Sequence, residues 1–247
     1  LAVVVMIAMM PAMAFADTTT TTPTTTTGAE ITTTTPGAGK TDETPAAPAK
    51  SNDIVILGTS DVHCGIDQNI GYAGLAAYKK AMAEKYNYVA LVDAGDAIQG
   101  DTIGTLSKGE YLVDIMNEVG YDVVVPGNHE FDYGMDQFLN VIVPKMKATY
   151  VSANFMKGDK LVFDPYKMMT YGSKKVAFVG ISTPETLVKS TPTYFQDKFG
   201  NYIYDFCNDK TGDKLYKAVQ SAVDAAKKAG ADYVVAVAHL GADTASA

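Results

Sequence analysis

The chain has no arginine, only three histidines and only two cysteines. Lysine therefore carries all of the basic side-chain charge, 20 residues against 28 acidic ones, for a formal net charge of −8. Sequence-independent binding of DNA or RNA draws on clustered basic side chains, so a nucleic-acid polymer is not an expected partner. Arginine is also the side chain best suited to bidentate capture of phosphate or carboxylate. Without it, an anion site has to be built from lysine, backbone N–H groups or metal. Cys64 and Cys207 are too few for a disulfide framework, and two unpaired thiols are expected even in an exported protein.

What is present changes character along the chain. Residues 1–16, LAVVVMIAMMPAMAFA, form an uncharged apolar run that ends in small residues spaced Ala14-x-Ala16. They read as the core and cleavage site of a partial signal peptide, with cleavage expected after Ala16, and are too short for a stable membrane span. Residues 17–50 are dominated by Thr with Pro, Gly and Ala. Such a composition buries too little apolar surface to offset its ordering entropy, so a disordered linker or extracellular spacer is expected, glycosylated or plain. A secreted, cell-surface or periplasmic location follows. Residues 51–247 are long enough for one substantial core.

Within that part, short β-branched runs recur at 53–60, 88–95, 122–127, 149–155, 175–182 and 232–239, each followed by Gly, Ser, Asp, Asn or His. Near-continuous apolar runs of this length read as buried strands that end in polar loops. Helical patterns lie between them at Tyr72–Tyr86, Glu110–Val119, Met135–Lys147 and Lys214–Lys228. The alternation predicts an α/β domain with reactive groups at the C-terminal ends of strands. The stretch 183–210 fits no period and reads as a long surface excursion whose aromatic residues serve a hairpin or an inter-domain contact.

All three histidines fall just after a predicted strand: His63 in SDVHCG, His129 in GNHEFD and His239 in VAHLG. A single histidine in such a place is more often a hydrogen-bonded structural residue than a ligand. Here each one has company. If the chain leaves its strand still extended, Asp61 and His63 point to the same side and grip one cation, while Cys64 points away. Asp96 brings a second carboxylate, Asn128 an amide oxygen and His239 an imidazole. Mixed N and O donors from separate strand ends suit two divalent ions drawn from Zn, Mn, Fe or Co, with Asp96 as the natural bridge. Such a pair can hold a hydroxide and clamp the oxygens of a phosphoryl group during in-line displacement. The four positive charges would also make the local field favourable to an anion despite the acidic chain. Glu130 reads as a structural hydrogen-bonding residue.

The series D-x-H, G-D, G-N-H-E and a later strand-end His resembles the calcineurin-like metallophosphoesterases. The longer strings TSDVHCGID, VDAGDAIQGD, VVPGNHEFDYG and GISTPET look like the branch containing 5′-nucleotidases, UDP-sugar hydrolases and 2′,3′-cyclic-nucleotide phosphodiesterases. The resemblance covers residues 53–242. It implies a β-sandwich flanked by helices, with Asp61, His63 and Asp96 on one metal and Asp96, Asn128 and His239 on the other. His129 and Asp132 match the family's His–Asp pair beside the scissile phosphate, so the implied catalytic residues are Asn128, His129 and Asp132. Removal of phosphate from nucleotides is the implied reaction. A cyclic phosphodiesterase or UDP-sugar hydrolase with the same centre is the alternative, and a non-catalytic surface interaction domain on a Thr/Pro stalk is a third reading. Drift in a mere scaffold would be expected to erode at least one of these polar positions. The family pattern continues with a G-H-x-[HQ] element and a second, substrate-binding domain of the same chain, neither of which this sequence contains. The catalytic domain is thus expected to be truncated, and poorly active alone.

Overall fold

The computed structural model describes residues 2–6 and 49–241. Five strands form a parallel sheet in chain order: β1 (Ala2–Met6), β2 (Ser51–Thr59), β3 (Tyr86–Asp93), β4 (Val123–Val124) and β5 (Thr149–Tyr150). The strands β6 (Met156–Lys157), β7 (Lys160–Leu161), β8 (Tyr166–Tyr171), β9 (Lys174–Ile181), β10 (Tyr204–Asp205) and β11 (Tyr233–Ala238) follow. They make two three-stranded sheets, ordered β10-β6-β7 and β11-β9-β8.

Continuous apolar strands arise because both faces of the parallel sheet are covered. Ile54 and Ile56 on β2, with Ala90 and Val92 on β3, pack against Val176, Phe178 and Val237 of the β11-β9-β8 sheet. Their neighbours Val55, Leu57 and Leu91 turn the other way, onto Tyr72 and Leu75 of the helix Gly71–Lys85 and Leu112, Val113 and Met116 of the helix Glu110–Val119. The outer face of the second sheet, through Val179 and Ile181, receives Ala222 and Leu215 of the helix Asp213–Lys228. The result is helices, sheet, sheet and helix in layers, the flanked sandwich expected above.

The structure adds to the sequence reading, or departs from it, at several elements. Ala2–Met6, inside the segment read as a signal peptide, pairs as β1 with β2 in register from Ala2↔Ile54 to Met6↔Gly58. An uncharged Val-rich run suits a signal core and a parallel strand alike; the rest of that segment and the Thr/Pro-rich linker, residues 7–48, lie outside the described residues. The short strands β6 and β7, and strand β8, antiparallel to β9, are not among the expected strands. The helix expected over 135–147 is interrupted by a π-turn, Phe138–Ile142, which buries both of its end residues. The stretch 183–210 is no mere surface excursion. Its Phe195, Tyr204 and Phe206 are buried around Phe131 and Phe155, with Phe206 stacked on Phe155 at 4.7 Å between ring centroids. Phe199 and Tyr202 remain exposed.

A buried polar knot ties the two sandwich sheets together below the strand ends. Asn154 donates to the carbonyls of Ser182 (2.7 Å) and Phe206 (2.9 Å) and accepts from the Ser182 N–H (2.9 Å). The Ser182 hydroxyl donates to the Pro126 carbonyl at 2.8 Å. Replacing Asn154 by Ala leaves these groups unpaired away from water. Urea unfolding of Asn154→Ala is expected to show a loss of about 2–4 kcal/mol at unchanged m, because each orphaned buried group costs about 1–3 kcal/mol.

Candidate metal and phosphate site

The loops after β2 and β3 are zipped together. Asp61, His63 and Cys64 donate their N–H groups to the carbonyls of Gly95, Asp96 and Ala97 at 3.0, 2.9 and 3.0 Å. This pairing needs Asp61, His63, Cys64 and Asp96 in left-handed backbone, with φ between 46° and 62°. The chain is therefore not extended where it leaves β2, and the alternation argument for Asp61 and His63 fails. A left-handed turn brings them to Asp96 instead. Left-handed backbone costs a non-glycine residue about 1–2 kcal/mol, strain of a kind concentrated at functional sites. Cys64 does point away, into the core against Gly104, and burial raises its thiol pKa.

The next contact is equally close. A Cβ on Gly127 would stand 2.2 Å from Asp96 Oδ1, and one on Gly95 would stand 2.4 Å from the Gly127 nitrogen. Only glycine allows the two loops this approach. Across it, the His129 N–H donates to Asp96 Oδ1 at 2.7 Å, which leaves Oδ2 facing the cluster. Oδ2 lies 3.1 Å from His239 Nε2 and 3.9 Å from His63 Nε2. Asp61 Oδ1 is 4.0 Å from His63 Nε2, and Asn128 Oδ1 is 3.2 Å from His239 Nε2. Asp61, Asp96 and His239 offer ligand atoms that all fall within 4.8 Å of one another.

The tautomers follow from the backbone. His63 Nδ1 is 3.0 Å from the Gln99 carbonyl, and His239 Nδ1 is 3.0 Å from the Ala94 carbonyl. A carbonyl can only accept, so each Nδ1 carries a proton, and in the neutral ring each Nε2 turns a lone pair toward carboxylate or amide oxygen. Lone pair facing lone pair calls for a cation between them, either a proton or a metal. Burial by itself lowers the pKa of His239, but the hydrogen bond and charge of Asp96 outweigh it and raise the ring to about 9. Burial likewise opposes ionisation of Asp96, yet His239 holds its carboxyl below the usual range. The donor set, imidazole and carboxylate with one amide, suits a divalent transition ion.

His129 sits beside this cluster, its ring centroid 5.2 Å from that of His63. Its Nδ1 is bound to Asp132 Oδ2 at 2.6 Å, and that bond raises the pKa of the ring. Asp132 Oδ1 in turn accepts the Ser190 hydroxyl at 3.0 Å, a partner that sequence reasoning missed because Ser190 lies in the aperiodic stretch. A cavity of about 300 Å³ opens alongside, lined by Asp61, His63, Gln68, Asn69 and Asp101 among others. The structure thus brings together Asp61, His63, Asp96, Asn128, His129, Asp132 and His239, every residue singled out from the sequence.

The model of the calcineurin-like phosphoesterase family matches residues 54–246. The chain belongs to that family. A snake venom 5′-nucleotidase of Gloydius brevicauda is 32% identical over 163 residues, 58% of this chain and 28% of that protein. The 5′-nucleotidase of Bos taurus is 29% identical over 213 residues, 78% of this chain and 35% of that one. The structure of a 5′-nucleotidase precursor from Thermus thermophilus superposes with a TM-score of 0.62 at 24% identity, covering 75% of this chain and 37% of that one. The chain therefore spans about a third of the length of the relatives it matches.

Beneath the site lies another buried acid. Asp93 accepts from the Thr59 hydroxyl (2.5 Å) and the Gly95 N–H (2.9 Å), with Tyr121 beyond Thr59. Burial pushes its carboxyl up to about 8. Unfolded, the same group ionises near pH 4. Between about pH 4 and 8 the unfolded chain has released a proton that the folded chain keeps, so stability from this residue falls as pH rises. Thermal melts in chelator across that range are expected to decline less steeply for Asp93→Asn than for the natural chain.

Proposed function

We propose that this chain is the catalytic domain of an exported, two-metal phosphohydrolase that removes phosphate from nucleotides, in the manner of a 5′-nucleotidase. The observation that carries the reading is Asp96 Oδ2, shared between two imidazoles whose Nδ1 atoms are already committed to backbone carbonyls. Asp61, His63 and Asp96 would hold one divalent ion, and Asp96, Asn128 and His239 would contribute to the other. Two bound ions would supply positive charge for the phosphate oxygens and a more acidic water at neutral pH. The chain contains no arginine to do so, and its acidic site would otherwise repel a phosphate.

The remaining chemistry belongs to side chains in the structure. Asp132 holds His129 by Nδ1, so Nε2 is the nitrogen left to meet substrate. With its pKa raised by Asp132, the ring can carry a proton at Nε2 and stabilise charge developing on the phosphoryl group or the leaving alkoxide. Asn128 can present its amide N–H to a phosphate oxygen while its carbonyl faces the His239 side. Ser190 keeps Asp132 from turning away. Export rests on the composition of residues 1–16 and 17–50. Among the described residues, no helix is long and apolar enough to cross a membrane.

Phosphate release from AMP, UDP-glucose and 2′,3′-cyclic AMP, measured with Mn²⁺ or Zn²⁺ and again with chelator, separates the readings. Metal-dependent hydrolysis that favours AMP is expected, slow in this chain by itself, while preference for either other substrate selects the alternative reaction on the same centre. Asp96→Ala is expected to abolish hydrolysis. An Asp96→Ala chain as active as the natural one would sink the two-metal mechanism. His129→Gln is expected to lower kcat by about 100-fold or more, the scale of a lost acid or electrostatic group, with a smaller change in KM.

A further inference from the structure

Glu130 is 3% exposed and points not at the cavity but behind it. Its Oε2 accepts the N–H groups of Asp96 (2.8 Å) and Gly127 (2.6 Å), and its Oε1 accepts that of Ala97 (3.0 Å). These three N–H groups belong to two different loops, one carrying Asp96 and the other leading into Asn128. The adjacent residue completes the grip, since the His129 N–H holds the Asp96 side chain by Oδ1. Asp96 is thus held by its backbone and its carboxylate from two consecutive residues. A carboxylate is the side chain suited to this place, because both of its oxygens accept. A glutamine there has one accepting oxygen and would turn an NH₂ toward a backbone N–H.

We propose that Glu130 is a positioning residue of the metal centre: by tying the left-handed Asp96 loop to the Gly127–Asn128 loop, it sets where Asp96 Oδ2 and the Asn128 carbonyl stand. The inference rests on the metal reading above, and it predicts that Glu130 acts on metal affinity without touching metal. Residues that orient ligands in this way typically change metal affinity by about 10–100-fold.

The test is Mn²⁺ titration of the full chain, followed by the electron paramagnetic resonance of free Mn²⁺ up to millimolar concentration. Each variant's urea midpoint and the amide proton shifts of Asp96, Ala97 and Gly127 are recorded in parallel. Asp96→Ala serves as the reference: equal Mn²⁺ binding by it and the natural chain overturns the metal reading itself. If Asp96→Ala fails to bind, Glu130→Gln is expected to bind Mn²⁺ about 10–100-fold more weakly while staying folded, with the three amide protons shifted. Glu130→Asp, which keeps both accepting oxygens, is expected to recover part of the affinity. A folded Glu130→Gln chain with natural Mn²⁺ affinity overturns the positioning role and leaves the metal reading standing. Failure of both Glu130 variants to fold overturns it in favour of a purely structural role.

Discussion

Everything at the candidate site depends on how closely two backbones approach at Asp96. The loop after β3 and the loop after β4 meet at Gly95 and Gly127, where no Cβ fits. Packing at that distance turns peptide N–H groups into ligands for side chains, and side chains into props for the opposite loop. Asp96 is held in left-handed backbone, its Oδ1 is spent on the His129 N–H, and only Oδ2 is free to face the imidazoles. The cluster of donors is a consequence of this loop packing, not an independent arrangement of side chains.

The same packing buries three carboxyl groups where solvent cannot reach them and holds one of them, Asp96, ionised. Asp93, Asp96 and Glu130 are all nearly inaccessible, and burial pushes Asp93 up to about 8 and Glu130 up to about 7. The raised pKa of His239, which pairs with Asp96, answers part of this charge. Two bound ions would add positive charge there and make the local field favourable to an anion, despite the overall acidity of the chain.

Much of this was legible in the sequence. Apolar runs covered on both faces announced the parallel strands, and amphipathic spacing placed the helix Glu110–Val119 at its observed ends. The polar residues after strands β2, β3, β4 and β11 could be named as one cluster before any fold was known. What escaped has physical reasons. Strand β8, YKMMTY, mixes lysine and methionine and is only half-covered, so it lacks the signature of its neighbours. Phe195 and Phe206 are buried by irregular chain, which carries no period to read. Strand alternation would carry Asp61 and His63 outward on an extended chain, whereas hydrogen bonding to the next loop imposes a left-handed turn. Ser190 reaches Asp132 across 58 positions, a distance no local pattern spans.

His239 stands at the end of β11 in one sheet, yet its ring is hydrogen-bonded to Ala94 beyond the end of β3 in the other, 145 residues away. The imidazole therefore works as a clasp on the open end of the sandwich, closing a chain loop whose entropy grows with its length. Any ion taken up between His239 and Asp96 would tighten that clasp into a cross-link between sheets. Metal loss and loosening of the strand-end edge of the sandwich would then be one event, much as reduction and loosening are one event at a disulfide.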